Sequence, residues 1–145
     1  MKKGDLIQGT ISKYVFPNKG SFMHTEVNPQ TGEEVTRSIS TKGKGVLPGA
    51  EVEVRIKKKR ADHADGILQR VIKESDLEAC KPVCTHYYQC GGCIYQTVPY
   101  EKQLELKENL VKDLLQEYID KTPDCKWDGI LPSPSPFCYK NKMEF

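Results

Sequence analysis

Three cysteines fall within ten residues, in the stretch Cys84-Thr85-His86-Tyr87-Tyr88-Gln89-Cys90-Gly91-Gly92-Cys93. The second half, Cys90-Gly91-Gly92-Cys93, is a short chelating loop, whose two thiolates reach one metal or one cluster without strain. The two glycines permit a tight backbone and leave amide N–H groups free to point at sulfur. Cys80 extends the pattern to Cys-x3-Cys-x5-Cys-x2-Cys. Thiolates suit soft metals, zinc and iron–sulfur clusters. Zinc held by Cys80, Cys84, Cys90 and Cys93 needs two chelating pairs, and the gap between them is short against the roughly 12–20 residues of the usual ribbon. An iron–sulfur cluster tolerates three close cysteines plus a remote fourth ligand, and fits this spacing better. A nucleophilic cysteine needs no such crowd of thiols. His86 is a further candidate ligand, although a loop histidine is more often exposed or structural. Six cysteines would also allow disulfides. Against that, the start of the chain, Met1-Lys2-Lys3-Gly4-Asp5, leads into no apolar run like that of a secretory signal. The expected compartment is the cytoplasm, where thiols stay reduced.

The elements around this loop change character near Glu74. Residues 1–73 read as a small all-β domain and residues 74–145 as a second region, giving an α+β chain. In Glu51-Val52-Glu53-Val54-Arg55-Ile56-Lys57-Lys58-Lys59-Arg60, Val52, Val54 and Ile56 alternate with charged residues. A period of two puts the apolar set on one face and Arg55, Lys57 and Lys59 together on the other. Leu6–Ile11 is a short strand. Pro17–Gly20 is a turn. A hairpin turns around Asn28–Gly32 with Thr25–Val27 and Glu34–Ser38 as arms. Lys42–Gly45 reads as a flexible basic loop, Asp62–Gly66 as a turn, and Gly66–Ile72 as a returning strand. Short strands at this spacing predict a small barrel or sandwich. Tyr14, Phe16 and Phe22 are expected in its core, with base stacking as the other use of such rings.

After the cysteines, Pro99 stands at the head of a helical pattern. Leu104, Val111 and Tyr118 recur every seven residues, flanked by Leu110, Leu114, Leu115 and Ile119. That predicts an amphipathic helix of roughly twenty residues with Glu108 and Lys112 paired on its wet side. Pro123 bars its continuation, and Leu131–Pro136 must be extended. Tyr139–Phe145 looks like a strand beginning, so the chain is expected to stop in mid-domain. With 37% apolar residues, any core is small or divided. No stretch approaches the ~18–20 apolar residues of a membrane-spanning helix.

Charge separates the two regions. Residues 1–73 carry 14 Lys and Arg against 8 acidic residues, and residues 74–145 carry 8 Lys against 12. The net +6 half is the candidate for a polyanion such as nucleic acid. Its candidate contacts are Lys42, Lys44, Arg55, Lys57, Lys58, Lys59 and Arg60; a merely solvated face is the bland alternative.

The motif Cys84-Thr85-His86-Tyr87-Tyr88-Gln89-Cys90-Gly91-Gly92-Cys93, followed by Gln96, Tyr100, Gln103 and Lys107, resembles the iron–sulfur RNA uracil-5-methyltransferases. The ending Tyr139-Lys140-Asn141-Lys142-Met143-Glu144-Phe145 is similar to that family's Tyr-Arg-Asn-Lys-Met-Glu-Phe stretch. Leu47-Pro48-Gly49 ahead of a Lys/Arg-rich strand is similar to the TRAM domain that opens such proteins. The resemblance implies an OB-like TRAM barrel that holds RNA, then a small, mainly helical cluster subdomain and the start of a further β region. It implies a four-iron, four-sulfide (4Fe-4S) cluster with Cys84, Cys90 and Cys93 as three ligands and the fourth beyond Phe145. Cys80, Cys125 and Cys138 match no family ligand and are expected to be incidental thiols. Bacterial 23S ribosomal RNA is the implied partner, with transfer RNA next, for a monomer with no membrane association.

That family transfers a methyl group from S-adenosylmethionine to C5 of uracil after an enzyme cysteine adds to C6. The chain has no Gly-rich turn between a strand and a helix for the cofactor, and no cysteine in the nucleophile motif. By itself it is expected to be inactive. Two rival readings stay open on residues alone. One is a stand-alone RNA-binding module with a four-cysteine zinc site; the other is a ferredoxin-like redox protein.

Overall fold

Alternation builds the sheet. In the computed structural model, which describes residues 1–138, Val52, Val54 and Ile56 are fully buried while Arg55, Lys57 and Lys59 are exposed. They lie on strand β5 (Glu51–Lys59), the fifth of six: β1 (Leu6–Thr10), β2 (Lys13–Val15), β3 (Lys19–Val27), β4 (Glu34–Thr41), β5, and β6 (His63–Lys73). The sheet order is β1-β5-β6-β4-β3-β2. Its two end strands are consecutive in the chain, separated only by Ile11 and Ser12. Ile11 N–H donates to Ala50 O at 2.8 Å, and Ser12 N–H to Ser21 O at 3.0 Å. One bent segment thus pairs with β5 through its first half and β3 through its second, so the sheet returns on itself around Ile11, Phe22, Ile39, Val54 and Ile56.

All neighbouring strands run antiparallel except β4 and β6, which are parallel with Ser38 opposite His63. This pairing corrects one expected turn. His63–Asp65 are strand residues because they pair with β4 on one side and β5 on the other, leaving the turn to Arg60–Asp62. The β5–β6 register shifts three times, and each irregularity adds bend and twist to a sheet that must close. The sharpest packing is at Gly66, opposite Ile56. A Cβ there would stand 1.9 Å from Val54 Cγ1, a branched side chain with nowhere to go. Gly66→Ala is expected to cost about 2 kcal/mol or more by overpacking, read as a lower urea midpoint at unchanged slope. An unchanged midpoint would show that this strand gives way.

The hairpin expected around Asn28–Gly32 is present, with Val27 opposite Glu34 and Gly32 at φ 73°. Tyr14 and Phe22 enter the core as expected. Phe16 does not: it is 59% exposed in the turn between β2 and β3. At the far end of β3, Glu26 accepts from the Met1 ammonium and from Arg37, with Lys59 Nζ at 3.5 Å. The bond from the N-terminal ammonium holds the Glu26 carboxyl below the usual carboxylate range.

The chain divides into two compact units, Met1–Pro99 and Tyr100–Phe145. Residues 74–99 hold neither helix nor strand, so the cysteines stand in a loop as expected and the helix begins only after it. Pro82, Gly91, Gly92 and Pro99 punctuate this stretch, and side chains take its backbone groups in place of a helical ladder. Ser75 is one such side chain: its hydroxyl donates to Pro48 O and accepts from Leu77 N–H.

The second unit carries the one helix among the described residues, α1 (Tyr100–Asp120), directly after Pro99 as the pattern predicts. Leu110 is buried, whereas Leu114 and Tyr118 are more than half exposed. Glu108 and Lys112 pair at 2.8 Å, and Trp127 Nε1 donates to the same carboxylate at 2.6 Å. The Lys112 bond, then the Trp127 bond, hold the Glu108 carboxyl below its ordinary range. Residues 131–136 carry neither helix nor strand, and Ser133 N–H donates to Tyr100 Oη at 2.7 Å. The strand expected at Tyr139–Phe145 lies outside the described residues. No helix among the described residues is long and apolar enough to cross a membrane.

Candidate functional site

Cys84, Cys90 and Cys93 sit on one loop of the first unit. Thr85–Gln89 form a turn in which Tyr87 N–H donates to Cys84 O at 3.1 Å and Cys90 N–H to His86 O at 2.8 Å. The chain then passes through the glycines, and Gly92 N–H donates to Cys90 Sγ at 3.4 Å. This is the amide-to-sulfur contact that the Gly-Gly pair suggested. Neither Gly91 nor Gly92 has a positive φ. No atom lies within 4 Å of where a Gly91 Cβ would stand, so the loop is open on that side. Gln96 closes the far end, its Oε1 accepting from Cys84 N–H at 3.0 Å.

Residues that sequence reasoning left unassigned fasten this loop. Tyr87 is 2% exposed, and its hydroxyl donates to Ile94 O at 2.7 Å. Burial pushes the Tyr87 phenol upward. Thr97 donates to Glu78 Oε1 at 2.7 Å. The Tyr95 hydroxyl meets that of Tyr14 at 3.0 Å and donates to Asn18, joining the segment after the cysteines to the β2–β3 turn. Burial raises both phenols. Tyr88 points the other way, 73% exposed, with its ring edge-on to that of Tyr87 at 5.1 Å. No period in the sequence marks these anchors; the signal available was a run of Tyr, Gln and Thr beside the cysteines, in a loop too irregular to cover itself.

All six cysteines are free thiols. Cys84 and Cys90 are exposed and Cys93 is half-buried. Among the described residues, no three of His, Cys, Asp and Glu are gathered closely enough to hold a metal ion. The loop therefore brings the three thiols into one segment without converging them on a point. His86 and Cys80 are exposed and join no such group.

The basic candidates separate into two sets. Arg55, Lys57, Lys58 and Arg60 are exposed on β5 and just beyond it, and Lys42 is exposed on the loop after β4. Arg55 stands between Leu6 of β1 and Ile67 of β6, both about half exposed. The other two are engaged within the chain. Lys59 Nζ donates to Met1 O at 3.0 Å. Lys44 Nζ donates to the carbonyls of Tyr87 and Cys90 and lies 4.2 Å from the centre of the Tyr87 ring. The loop read as flexible is tied down at its centre.

Comparison with known proteins places this arrangement among relatives. No family model matches the chain. A protein of Caldanaerobacter subterraneus named "uncharacterized RNA methyltransferase" is 39% identical over 104 residues, covering 72% of this chain and 22% of the relative. A Clostridium tetani protein of the same name is 32% identical over 146 aligned positions, covering 100% of this chain and 28% of the relative. A Vibrio parahaemolyticus protein named "23S rRNA (uracil(1939)-C(5))-methyltransferase RlmD" is 35% identical over 80 residues, covering 55% of this chain and 18% of the relative. The chain thus spans only 18% to 28% of the length of these relatives.

Proposed function

Because the chain belongs to the family of these RNA methyltransferases, whose N-terminal region it matches, we propose that it is the RNA-binding and cluster-holding part of an S-adenosylmethionine-dependent RNA (uracil-5-)-methyltransferase acting on ribosomal RNA. The observation that carries this reading is an alignment running through the sheet and the cysteine loop alike, with a relative named as an RNA methyltransferase. In this reading residues 1–73 are an OB-like barrel of the TRAM type, and residues 74–145 hold the cluster loop, α1 and the start of the central methyltransferase region. The protein works as a cytoplasmic monomer on 23S ribosomal RNA.

The exposed cations of the barrel would track the phosphate backbone, and Phe16 offers a ring for an unpaired base. Cys84, Cys90 and Cys93 would hold three irons of a 4Fe-4S cluster, a structural centre that shapes the loop against RNA. The soft thiols, the Gly92 N–H on Cys90 sulfur and the open side at Gly91 suit that group. The fourth ligand would come from outside this loop. S-adenosylmethionine would supply the methyl group, and no residue of this chain is assigned to hold it.

The test is RNA binding against salt. Four phosphate contacts to a single strand give a slope of about −3 in log affinity against log salt, or roughly a 50-fold loss between 50 and 200 mM. Titration of the chain with a ribosomal RNA hairpin carrying an unpaired uridine is expected to show that loss. Affinity that is absent or indifferent to salt would remove the RNA-binding assignment. Iron and sulfide content after anaerobic purification tests the cluster separately. Zinc without sulfide would replace the cluster by the four-cysteine zinc site.

A further inference from the structure

We infer that Lys44 is the positioning residue of the cysteine loop: an ammonium sent from the sheet to hold the turn between Cys84 and Cys90 in shape for its ligand. Three observations on the sheet and the loop converge on it. First, its Nζ donates to two carbonyls that bracket the turn, Tyr87 O and Cys90 O. Second, the same charge lies over the Tyr87 ring at 4.2 Å, on a side chain that is itself buried. Third, the backbone that launches it is confined on both sides. Gly43 has φ 151° and Gly45 has φ 74°, a left-handed conformation that side chains resist. A Cβ at Gly43 would meet Leu68 at 2.9 Å, and one at Gly45 would meet Val71 at 2.8 Å. Gly43-Lys44-Gly45 is therefore a fixed mount whose one long side chain reaches across to the cysteines.

The chemistry explains why a cation stands there. Carbonyls that face away from a hydrogen-bonded turn need donors, and a charged donor makes a stronger bond than a neutral one. A fixed positive charge also offsets the negative charge that several thiolates bring to one loop. Lys44 thus belongs to the cysteine site rather than to the phosphate-binding set, and it ties the basic sheet to that site. The part of the inference that concerns metal rests on the cluster reading above; the clamp itself does not.

The test uses this chain with Lys44→Met, which keeps length and loses charge, and Lys44→Arg, which restores charge and donors. In the metal-free proteins, amide hydrogen exchange is read by mass spectrometry over residues 84–93. The Met variant is expected to exchange there about tenfold faster or more, with the strands β5 and β6 unchanged, and the Arg variant to return most of the protection. After anaerobic loading with ferrous iron and sulfide, the Met variant is expected to lose its visible absorption several-fold faster than the wild type. Equal exchange in all three proteins would overturn the clamp, whatever the iron content. A loss of RNA affinity in the Met variant with unchanged exchange would overturn it too, returning Lys44 to phosphate contact. A wild-type chain that takes up no iron, while the exchange difference persists, would leave the clamp standing and show that these residues alone do not close a cluster site.

Discussion

Tyr87→Ala is expected to detach the cysteine loop from the sheet while leaving the sheet folded. The ring is 2% exposed, carries the Lys44 ammonium on its face, and fixes Ile94 through its hydroxyl. Truncating a buried aromatic to alanine costs about 3 to 5 kcal/mol. The segment that pays this has no strand or helix of its own between Lys73 and Tyr100, so side-chain anchors such as this one hold it in place. The cost therefore falls locally. The loop opens as a unit, and β1–β6 keep their own core of Val52, Val54, Ile39 and Phe22. The prediction has two readings in one experiment. Cleavage by a broad-specificity protease between residues 80 and 97 rises by about two to three orders of magnitude, at roughly 1.4 kcal/mol per factor of ten. The urea transition of the sheet moves little. A sheet that unfolds together with the loop would show that the first unit is one cooperative structure. Tyr87→Phe separates ring from hydroxyl and should cost only about 1 kcal/mol.

The second large effect concerns RNA. Replacing Arg55, Lys57, Lys58 and Arg60 together by alanine is expected to lower affinity roughly 10- to 100-fold at low salt and to flatten the salt dependence from a slope of about −3 toward zero. These four are exposed and make no side-chain hydrogen bond or ion pair with the described residues, so their removal leaves nothing buried unsatisfied. The same substitution at Lys59 is not equivalent, because Lys59 also bonds Met1 O and approaches Glu26. Unchanged binding in the fourfold variant would locate the RNA on another face of the sheet. The measurement is the salt slope and not affinity at a single concentration, since a partly unfolded variant would lose affinity without changing its slope in this way.

The strand β5 was legible because its burial alternates with a period of two over residues 51–57, a local signal that no distant contact overrides. The hairpin at Asn28–Gly32 and the helix after Pro99 were legible for the same reason: turn residues and apolar spacing act within a few positions. The parallel pairing of β4 with β6 was not, because Ser38 and His63 meet only through the closure of the whole sheet, and the residues at the start of β6 looked like a turn. The cysteine motif showed which residues carry the chemistry but not what supports them. Lys44 lies some forty positions before the carbonyls that it holds, and in sequence it was one basic residue among many. A charged residue shows its partner in neither its type nor its spacing. Lys44, Lys57 and Lys59 look alike on the page, yet one fastens a loop, one is solvated and one is tied to the chain's first residue.

The Glu26 ion group has a bearing on solubility. Beyond Ser21, β3 has left β2, and its backbone from Phe22 to Val27 is paired with β4 on one side only. Bare strand edges recruit other strands, and Met23 and Val27 beside this one are well exposed apolar residues. Glu26, gathering the Met1 ammonium, Arg37 and Lys59 about it, places charge on that edge. An incoming strand that displaced Glu26 would have to pull these ion pairs apart before it could form a ladder. Charge of this kind beside a bare, apolar strand edge opposes pairing with a second strand.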